Sequence, residues 1–272
     1  MYGTLVYFVF SQLAVGGLLS MLVVPLEAGK RFFRFCTLAC LVFLALALWA
    51  GPFPLLSPAV GGSTVTLLPP RLLAASAMLA FGYLLAVVAE RTGPQKALLA
   101  VAGLTGAAGI VSDGLLACAA CSPFAAGVLT AASFLLSALF LGSVIFAMIL
   151  GHWYLVVPAL HIRPLRTLTR TMLVAILAKT ILTALTTYVF WLDGDIQVRE
   201  TLRSFWGPGG LFLWVRVLFG LIGPLIVGFM VWQTVKLHST QSATGLLYVA
   251  TIFVLIGECV SAYIFFTTTI PV

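Results

Sequence analysis

Residues 123–151 read PFAAGVLTAASFLLSALFLGSVIFAMILG, a run without a single charged side chain. A helix needs about 20 predominantly apolar residues to cross the hydrocarbon core of a bilayer, and this run is longer than that. The whole chain of 272 residues has the same character, since only 8% of it is charged against roughly 25% in a typical soluble domain. The run therefore predicts a protein whose main solvent is lipid.

Seven further apolar segments fill nearly all of the remaining chain. We expect the eight spans at about residues 4–25, 32–50, 71–90, 97–117, 123–151, 168–192, 208–235 and 243–267. Lipid offers no hydrogen bonds, so each span must be helical or part of a closed barrel, and these continuous runs lack the alternation of barrel strands. The predicted class is all-α, a polytopic membrane protein. The first segment is predicted to be a span and not a signal peptide, because it is too long and no cationic region precedes it.

The net charge is +7, and the positions of the positive residues indicate membrane topology and not a nucleic-acid site. Most cations lie in or beside the first, third, fifth and seventh connections: Lys30, Arg31, Arg34, Arg91, Lys96, Arg163, Arg166, Arg170 and Lys236. The other connections hold Arg71, Arg199 and Arg203, the last two among Asp193, Asp195 and Glu200. Because positive residues stay on the cytoplasmic side, both termini are expected outside. Below, "inner" and "outer" refer to this orientation, and the lipid bilayer is the partner that the charges imply.

A faint internal repeat predicts two halves. Residues 11–17 (SQLAVGG) and 137–143 (SALFLGS) share the pattern Ser-x-Leu-x-aliphatic-Gly-small. An offset of four spans preserves orientation, so we expect two parallel four-helix bundles, residues 1–121 and 122–272, within one membrane domain. The small residues would let helices approach closely.

Four polar residues lie well inside spans: Gln12, Asp113, Arg216 and Glu258. At about 1.5 Å per residue, all four would sit roughly 7–15 Å below the outer edge of the bilayer. Leaving an arginine or glutamate alone in hydrocarbon costs several kcal/mol or more. Spans seven and eight form a hairpin, so Arg216 and Glu258 are expected within reach of each other. Two compatible interpretations follow: a structural ion pair, or a polar pocket in which a ligand exchanges protons.

Lys179 and the histidines are weaker candidates. Lys179 lies near the midplane of span six, where it must be paired, neutralised or hydrated; a helix carbonyl partner and a proton path are both open. A membrane b-type haem needs two histidines on facing helices. His152 with His238 is the pair to consider, but both lie at inner span ends, and His152 begins an aromatic belt. We therefore expect no haem b.

The cysteines and the short connections limit the chemistry further. Cys36, Cys40 and Cys259 fall within spans and are interpreted as small apolar residues. Cys118 and Cys121 form a CAAC pair at the outer end of span four, for which packing, a disulfide, and metal or redox chemistry all stay open. No connection could hold a soluble domain, and no nucleotide, metalloprotease or nucleophile motif is present. No catalytic residue or metal site is predicted.

Three stretches resemble the membrane-anchor subunits of molybdopterin oxidoreductases. Residues 10–17 (FSQLAVGG) are similar to the first helix of the DMSO reductase anchors. Arg216 resembles an arginine that follows an aromatic stretch in that family, and residues 256–266, with Glu258 and a Phe-Phe pair, resemble its final helix. The length and the eight spans agree. The chain thus resembles a divergent member of the polysulfide reductase (NrfD) and DMSO reductase anchor family.

The chain departs from that family pattern at two places. DMSO reductase anchors carry a histidine after their second helix that is implicated in quinol binding, whereas residues 49–54 here read WAGPFP. Ala262 stands four positions after Glu258, where the family pattern has a basic residue. The resemblance therefore assigns the role of that histidine to no residue of this chain.

The resemblance implies an anchor subunit of a respiratory or photosynthetic electron-transfer complex in the cell's inner (cytoplasmic) membrane. Such subunits hold no metal and exchange electrons between membrane quinone (menaquinone or ubiquinone) and an iron–sulfur or cytochrome subunit at the outer face. They are non-catalytic or quinone-reactive parts of an oxidoreductase. Here Gln12 would donate to a quinone carbonyl, Glu258 or Asp113 would relay protons, and Arg216 would orient the carboxylate. Lys179 is a further relay candidate.

Two other functions stay open from the sequence. Gly220, Gly223 and Pro224 interrupt span seven, and transporters tend to break their helices near the midplane, which favours a small-solute transporter built from the repeat. The same residues also suit packing and a kink. The other alternative is a membrane b-type cytochrome subunit, which visible absorption would reveal.

Overall fold

The computed structural model describes residues 2–51, 67–90, 95–118, 124–157, 160–194, 196–204, 207 and 210–272, and all regular structure in these ranges is helical. The helices are α1 (Tyr2–Val23), α2 (Lys30–Ala50), α3 (Leu68–Val88), α4 (Gln95–Ala117), α5 (Phe124–Val156), α6 (Arg163–Asp193), α7 (Ile196–Ser204), α8 (Leu211–Val215), α9 (Gly223–Lys236) and α10 (Thr240–Thr268). Eight helical spans in the described ranges are long and apolar enough to cross a membrane. The predicted class, a multi-pass α-helical membrane protein, is confirmed.

Several predicted span limits differ from the helix limits. α1 ends at Val23 and not at residue 25, because Pro25 disfavours helical geometry in the residue before it. A 3₁₀ turn, Leu26–Ala28, and Gly29 at φ 87° then lead into α2. Helices α5 and α6 both extend about five residues beyond the predicted spans at the inner side, because hydropathy marks the limit of lipid and not of the helix.

α1 and α5 form the centre of the protein. In the most apolar stretch of each helix, 67% of α1 and 72% of α5 is buried in the protein, against 28% of α3. Each of the two belongs to a ring of four contacting helices. The rings are α1–α2–α3–α4 and α5–α6–α9–α10. A Cβ on Gly16 would overlap the Ala138 carbonyl, and a Cβ on Gly142 would overlap the backbone of Gly16. The two repeat motifs therefore pack directly against each other through glycine, which brings α1 against α5.

Span seven is continuous but not uniformly α-helical. Between α8 and α9 it contains a π-helical segment, Arg216–Ile222, in which each turn is wider. Pro224 lies just after this segment and has no amide hydrogen to donate to the carbonyl of Gly220. The wider turn accommodates this missing hydrogen bond without unwinding the helix. Such π-helical segments occur frequently at functional sites. Arg216 is its first residue.

Candidate functional site

Two of the deeply buried ionisable side chains of the described chain, Arg216 and Glu258, form an ion pair. Arg216 Nη1 lies 2.8 Å from Glu258 Oε1, and the two side chains are 0% and 3% exposed. The first comes from the π-helical segment of span seven and the second from α10. The expectation that the hairpin of spans seven and eight brings these residues within reach is confirmed.

Two glycines make this pairing possible. A Cβ added to Gly220 would lie 2.6 Å from Arg216 Nη1 and 3.0 Å from the Cα of Gly257. A Cβ on Gly257 would overlap the backbone of Gly220. Gly220 is one turn beyond Arg216, so the two occupy the same helix face, and the guanidinium extends along a surface that has no side chain. The absence of both Cβ atoms lets α10 approach closely enough for Glu258 to receive the guanidinium.

Lys179 on α6 extends this ion pair into a cluster. Its Nζ donates to Ser133 Oγ at 2.6 Å and lies 3.3 Å from the Ser133 carbonyl oxygen. It also interacts electrostatically with Glu258 and Arg216. Ser137, one turn further along α5, hydrogen-bonds Glu258. These five residues, the charge cluster, place two cationic side chains and one carboxylate inside the protein.

Gln12 on α1 lies level with this cluster. The ring of Phe8 packs edge-on against Phe134 of α5 at 4.4 Å between centroids, and Gly16 packs against Ala138 of α5. Gln12 stands midway between Phe8 and Gly16 on the same helix face, so it is at the height of residues 134–138 of α5. That stretch includes the cluster's Ser137, which hydrogen-bonds the glutamate. Gln12 is 2% exposed.

Unpaired donors are present on Arg216, beside the buried carboxylate, and on Gln12, at the same level of the protein. Gln12 Nε2 and two guanidinium nitrogens of Arg216, Nε and Nη2, are buried and have no hydrogen-bond partner within the described protein. A buried donor without a partner costs about 1–3 kcal/mol, and such groups are few in native structures. All three nitrogens donate, so the groups that would satisfy them are acceptors. The arrangement suits a ligand that carries carbonyl or anionic oxygens.

Asp113 belongs to a separate contact. Its Oδ2 accepts a hydrogen bond of 2.9 Å from the Tyr7 hydroxyl, and Asp113 is half-buried on α4. Tyr7 is the neighbour of Phe8, and successive helix residues point about 100° apart. Tyr7 faces α4, whereas Phe8 faces α5 and α10. The four polar residues that the sequence groups together are thus divided: Arg216 and Glu258 belong to the charge cluster, Gln12 lies level with it, and Asp113 pairs with Tyr7.

Three polar residues that connect these groups, Ser133, Ser137 and Tyr7, are not among the candidates predicted from the sequence. Ser133 and Ser137 are spaced four apart on the uncharged run of α5, so they share one face. Tyr7 carries no signal of its own, because tyrosine near a span end also fits an aromatic belt. The spacing of two serines on the most buried span is the signal that could have found the first two.

The histidines lie away from the cluster, whereas Cys259 directly follows Glu258 on α10 and is exposed. His152 Nδ1 is 3.2 Å from the Tyr248 hydroxyl at the inner side, and His238 adopts φ 58° just after α9. The expected absence of haem stays a prediction. In the ranges that the structure describes, no group of three His, Cys, Asp or Glu residues could hold a metal ion. Cys118 is disulfide-bonded, which is one of the alternatives left open for it; Cys121 lies outside the described residues.

Comparison with known proteins does not identify a family for this chain. No protein-family model matches the chain. No curated protein matches it either. The resemblance to the polysulfide reductase and DMSO reductase anchors therefore stays a prediction from short motifs, and the functional proposal below depends on the geometry of the charge cluster together with that likeness.

Proposed function

We propose that this chain is the quinone-interacting anchor subunit of an electron-transfer complex in the inner (cytoplasmic) membrane. The observation that carries the proposal is the presence of three buried N–H donors without an acceptor, two of them on the arginine that pairs with the buried Glu258 carboxylate. A quinone presents two carbonyl oxygens, both acceptors, on an otherwise apolar ring. Gln12 Nε2 and the unpaired nitrogens of Arg216 are donors that lack an acceptor in the protein.

The chemistry assigns a role to each residue. Oxidation of a quinol releases two electrons and two protons and leaves a quinone. Gln12 and Arg216 would hold the ring oxygens, and the Glu258 carboxylate would accept the protons of the two quinol hydroxyls in turn, passing the first on before it receives the second. Arg216 and Lys179 compensate the buried negative charge before that transfer. The electrons would pass to an iron–sulfur or cytochrome subunit at the outer face.

The depth of the cluster agrees with a site reached from the outer half of the bilayer. At about 1.5 Å per residue, Arg216 lies roughly 8 Å and Glu258 roughly 15 Å from the outer ends of their spans. Asp113 lies closer still to the outer end of α4, about 6 Å from Ala117 by the same rise. By depth, the Tyr7–Asp113 pair lies between the charge cluster and the outer surface, so it would serve as a second step for a proton that leaves Glu258.

The test is binding of a quinol-site inhibitor to the purified full-length chain. Titration with 2-heptyl-4-hydroxyquinoline N-oxide, followed by quenching of its fluorescence, should show saturable binding to the wild type. Gln12→Met should weaken it about tenfold, which corresponds to one buried hydrogen bond of about 1.4 kcal/mol. Quinone extracted from the purified protein and measured by chromatography should fall in parallel.

Ser20→Ala is the matched control. Ser20 is on the same helix, is also fully buried and also has an unpaired side-chain oxygen, but it lies two turns closer to the inner side. It should leave the inhibitor affinity unchanged. No saturable binding to the wild type, or equal affinity in the wild type and Gln12→Met, would contradict the proposal.

A transporter of small anions is the second candidate, and one observation favours it. The charge cluster contains two cationic side chains against one carboxylate, and the free guanidinium donors of Arg216 would suit an anion as well as a carbonyl. Span seven remains helical throughout, whereas transporters commonly unwind such a helix. Uptake of labelled acetate or chloride by proteoliposomes, without bound quinone in the same preparation, would favour this second function.

A further inference from the structure

A groove between α6 and α9 opens on the lipid-facing surface of the inner half. It has a volume of about 580 Å³ and is lined by Leu173 and Leu177 of α6 and by Ile226, Phe229 and Met230 of α9. Trp232 lies at its inner end. The two helices meet closely at Gly228, where an added Cβ would lie 3.1 Å from Met172 and Leu173 side-chain atoms. The groove is therefore a fixed feature of a tight helix pair.

Two cations stand at the inner end of this groove. The Arg170 guanidinium carbon lies 5.7 Å from the centroid of the Trp232 ring, and Lys236 Nζ lies 5.1 Å from it. Cation–π contact holds both charges near one ring, and both residues are exposed. Two positive charges are thus fixed together at the depth where tryptophan marks the membrane interface.

No carboxylate in the described part of the chain forms an ion pair with either of these cations. Among the described residues, the two inner-side carboxylates form ion pairs with other cations, Glu90 with Lys30 and Glu27 with Arg163. The described ion pairs include neither Arg170 nor Lys236. An apolar groove that ends at two cations without a carboxylate partner among the described residues is complementary to a molecule with a hydrocarbon chain and an anionic head. Basic pockets between transmembrane helices on the cytoplasmic side bind anionic lipid head groups.

We propose that the α6–α9 groove is a specific binding site for an anionic phospholipid of the inner leaflet. One acyl chain lies along the leucines of α6 and Ile226, Phe229 and Met230 of α9. The phosphate sits between Arg170 and Lys236 above the Trp232 ring. The inference is independent of the charge cluster and of the quinone proposal, because the groove shares no residue with either.

Native mass spectrometry of the delipidated full-length chain in detergent tests the site. Dioleoylphosphatidylglycerol should bind about 30-fold more tightly than dioleoylphosphatidylcholine, since each interfacial cation contributes about a factor of five to an anionic lipid. Arg170→Gln with Lys236→Gln should abolish that preference. Ile226→Trp, which fills the groove from an exposed position, should weaken binding of both lipids. Glycerol phosphate, a head group without chains, should not compete.

Arg31→Gln with Lys96→Gln is the matched control. It also removes one arginine and one lysine, both exposed at inner helix ends, but away from the groove. It should keep the preference for phosphatidylglycerol. Equal binding of the two lipids by the wild type, or an equal loss in the control and the Arg170/Lys236 variant, would overturn the proposal. So would a dimer formed through this face that excludes lipid.

Discussion

The Arg216–Glu258 pair and the Lys30–Glu90 pair have nearly the same geometry in opposite surroundings. Their N–O distances are 2.8 and 3.0 Å. The side chains of the first pair are 0% and 3% exposed, and those of the second are 57% and 65% exposed. Distance alone would rank the pairs as equals, so any difference in their effects arises from the surroundings.

Surroundings decide what each pair contributes. An exposed pair is screened by water and ions, so its attraction contributes little to stability. A buried pair loses several kcal/mol of hydration per ion, and its attraction recovers this only when the geometry and the extra hydrogen bonds are good. Ser137 supplies one such bond to Glu258, but Arg216 keeps two nitrogens unpaired. An ion pair that served only stability would have partners for these donors. We therefore associate the Arg216–Glu258 pair with ligand binding.

Breaking the buried pair from one side should have the largest effect. Glu258→Leu leaves Arg216 and Lys179 without their carboxylate, and the expected loss in free energy of unfolding is about 3–5 kcal/mol. Unfolding by sodium dodecyl sulfate in mixed micelles, followed by circular dichroism, measures it. Arg216→Met combined with Glu258→Leu should regain about half of the loss or more, because no uncompensated guanidinium remains. A single variant as stable as the wild type would show that the pair is not desolvated.

Separating the buried pair through its backbone should have a smaller effect. The Cβ of Gly257→Ala meets the backbone of Gly220, so α10 must move outward and the ion pair must lengthen; overpacking of this kind costs about 1–3 kcal/mol. The same detergent titration reports the loss, and inhibitor affinity should fall with it.

Gly245→Ala provides the comparison within the same helix. A Cβ on Gly245 meets nothing within 4 Å, so the change should be neutral or stabilising by up to about 1 kcal/mol through helix propensity. If both alanine variants behaved alike, close helix approach would not be what holds Arg216 and Glu258 together.

The spans could be predicted from sequence because lipid imposes one simple rule, about 20 apolar residues per crossing. The pairing of Arg216 with Glu258 could also be predicted, since adjacent spans form a hairpin and neither charge is tolerated alone. The limits of α5 and α6 could not, because helices continue through the interface into water. Nor could the π-helical segment, which depends on how Pro224, Gly220 and the neighbouring α10 fit together.

The composition of the cluster was only partly predictable. Depth along a span can be read from the sequence, which predicts both Gln12 and Asp113 in the outer half of the bilayer. Which face each residue occupies depends on helix neighbours. Asp113 faces Tyr7 of α1, and Ser133 reaches Lys179 across the α5–α6 contact. Small polar residues such as serine give little signal in an apolar span, yet here they supply the hydrogen bonds.

Changing the exposed pair should have the smallest effect. A hydrogen bond from Lys30, together with its positive charge, lowers the pKa of Glu90 below its ordinary value. A lowered folded-state pKa means that the contribution is present above the unfolded pKa and is lost as the pH falls through the folded one. Glu90→Gln should therefore remove only a small acid-side dependence of Tm, and salt should screen even that at neutral pH.

Glutamine is the right replacement for Glu90 because it leaves the strained, left-handed backbone conformation of residue 90 unchanged. Glu90 has φ 58°, so glycine would relieve strain and stabilise the protein for an unrelated reason. The measurement is Tm from pH 3 to 7 at low and high salt. A fall in Tm for Glu90→Gln as large as that for Glu258→Leu would mean that solvent exposure does not separate the two pairs, and the assignment of the buried one to ligand binding would lose its physical basis.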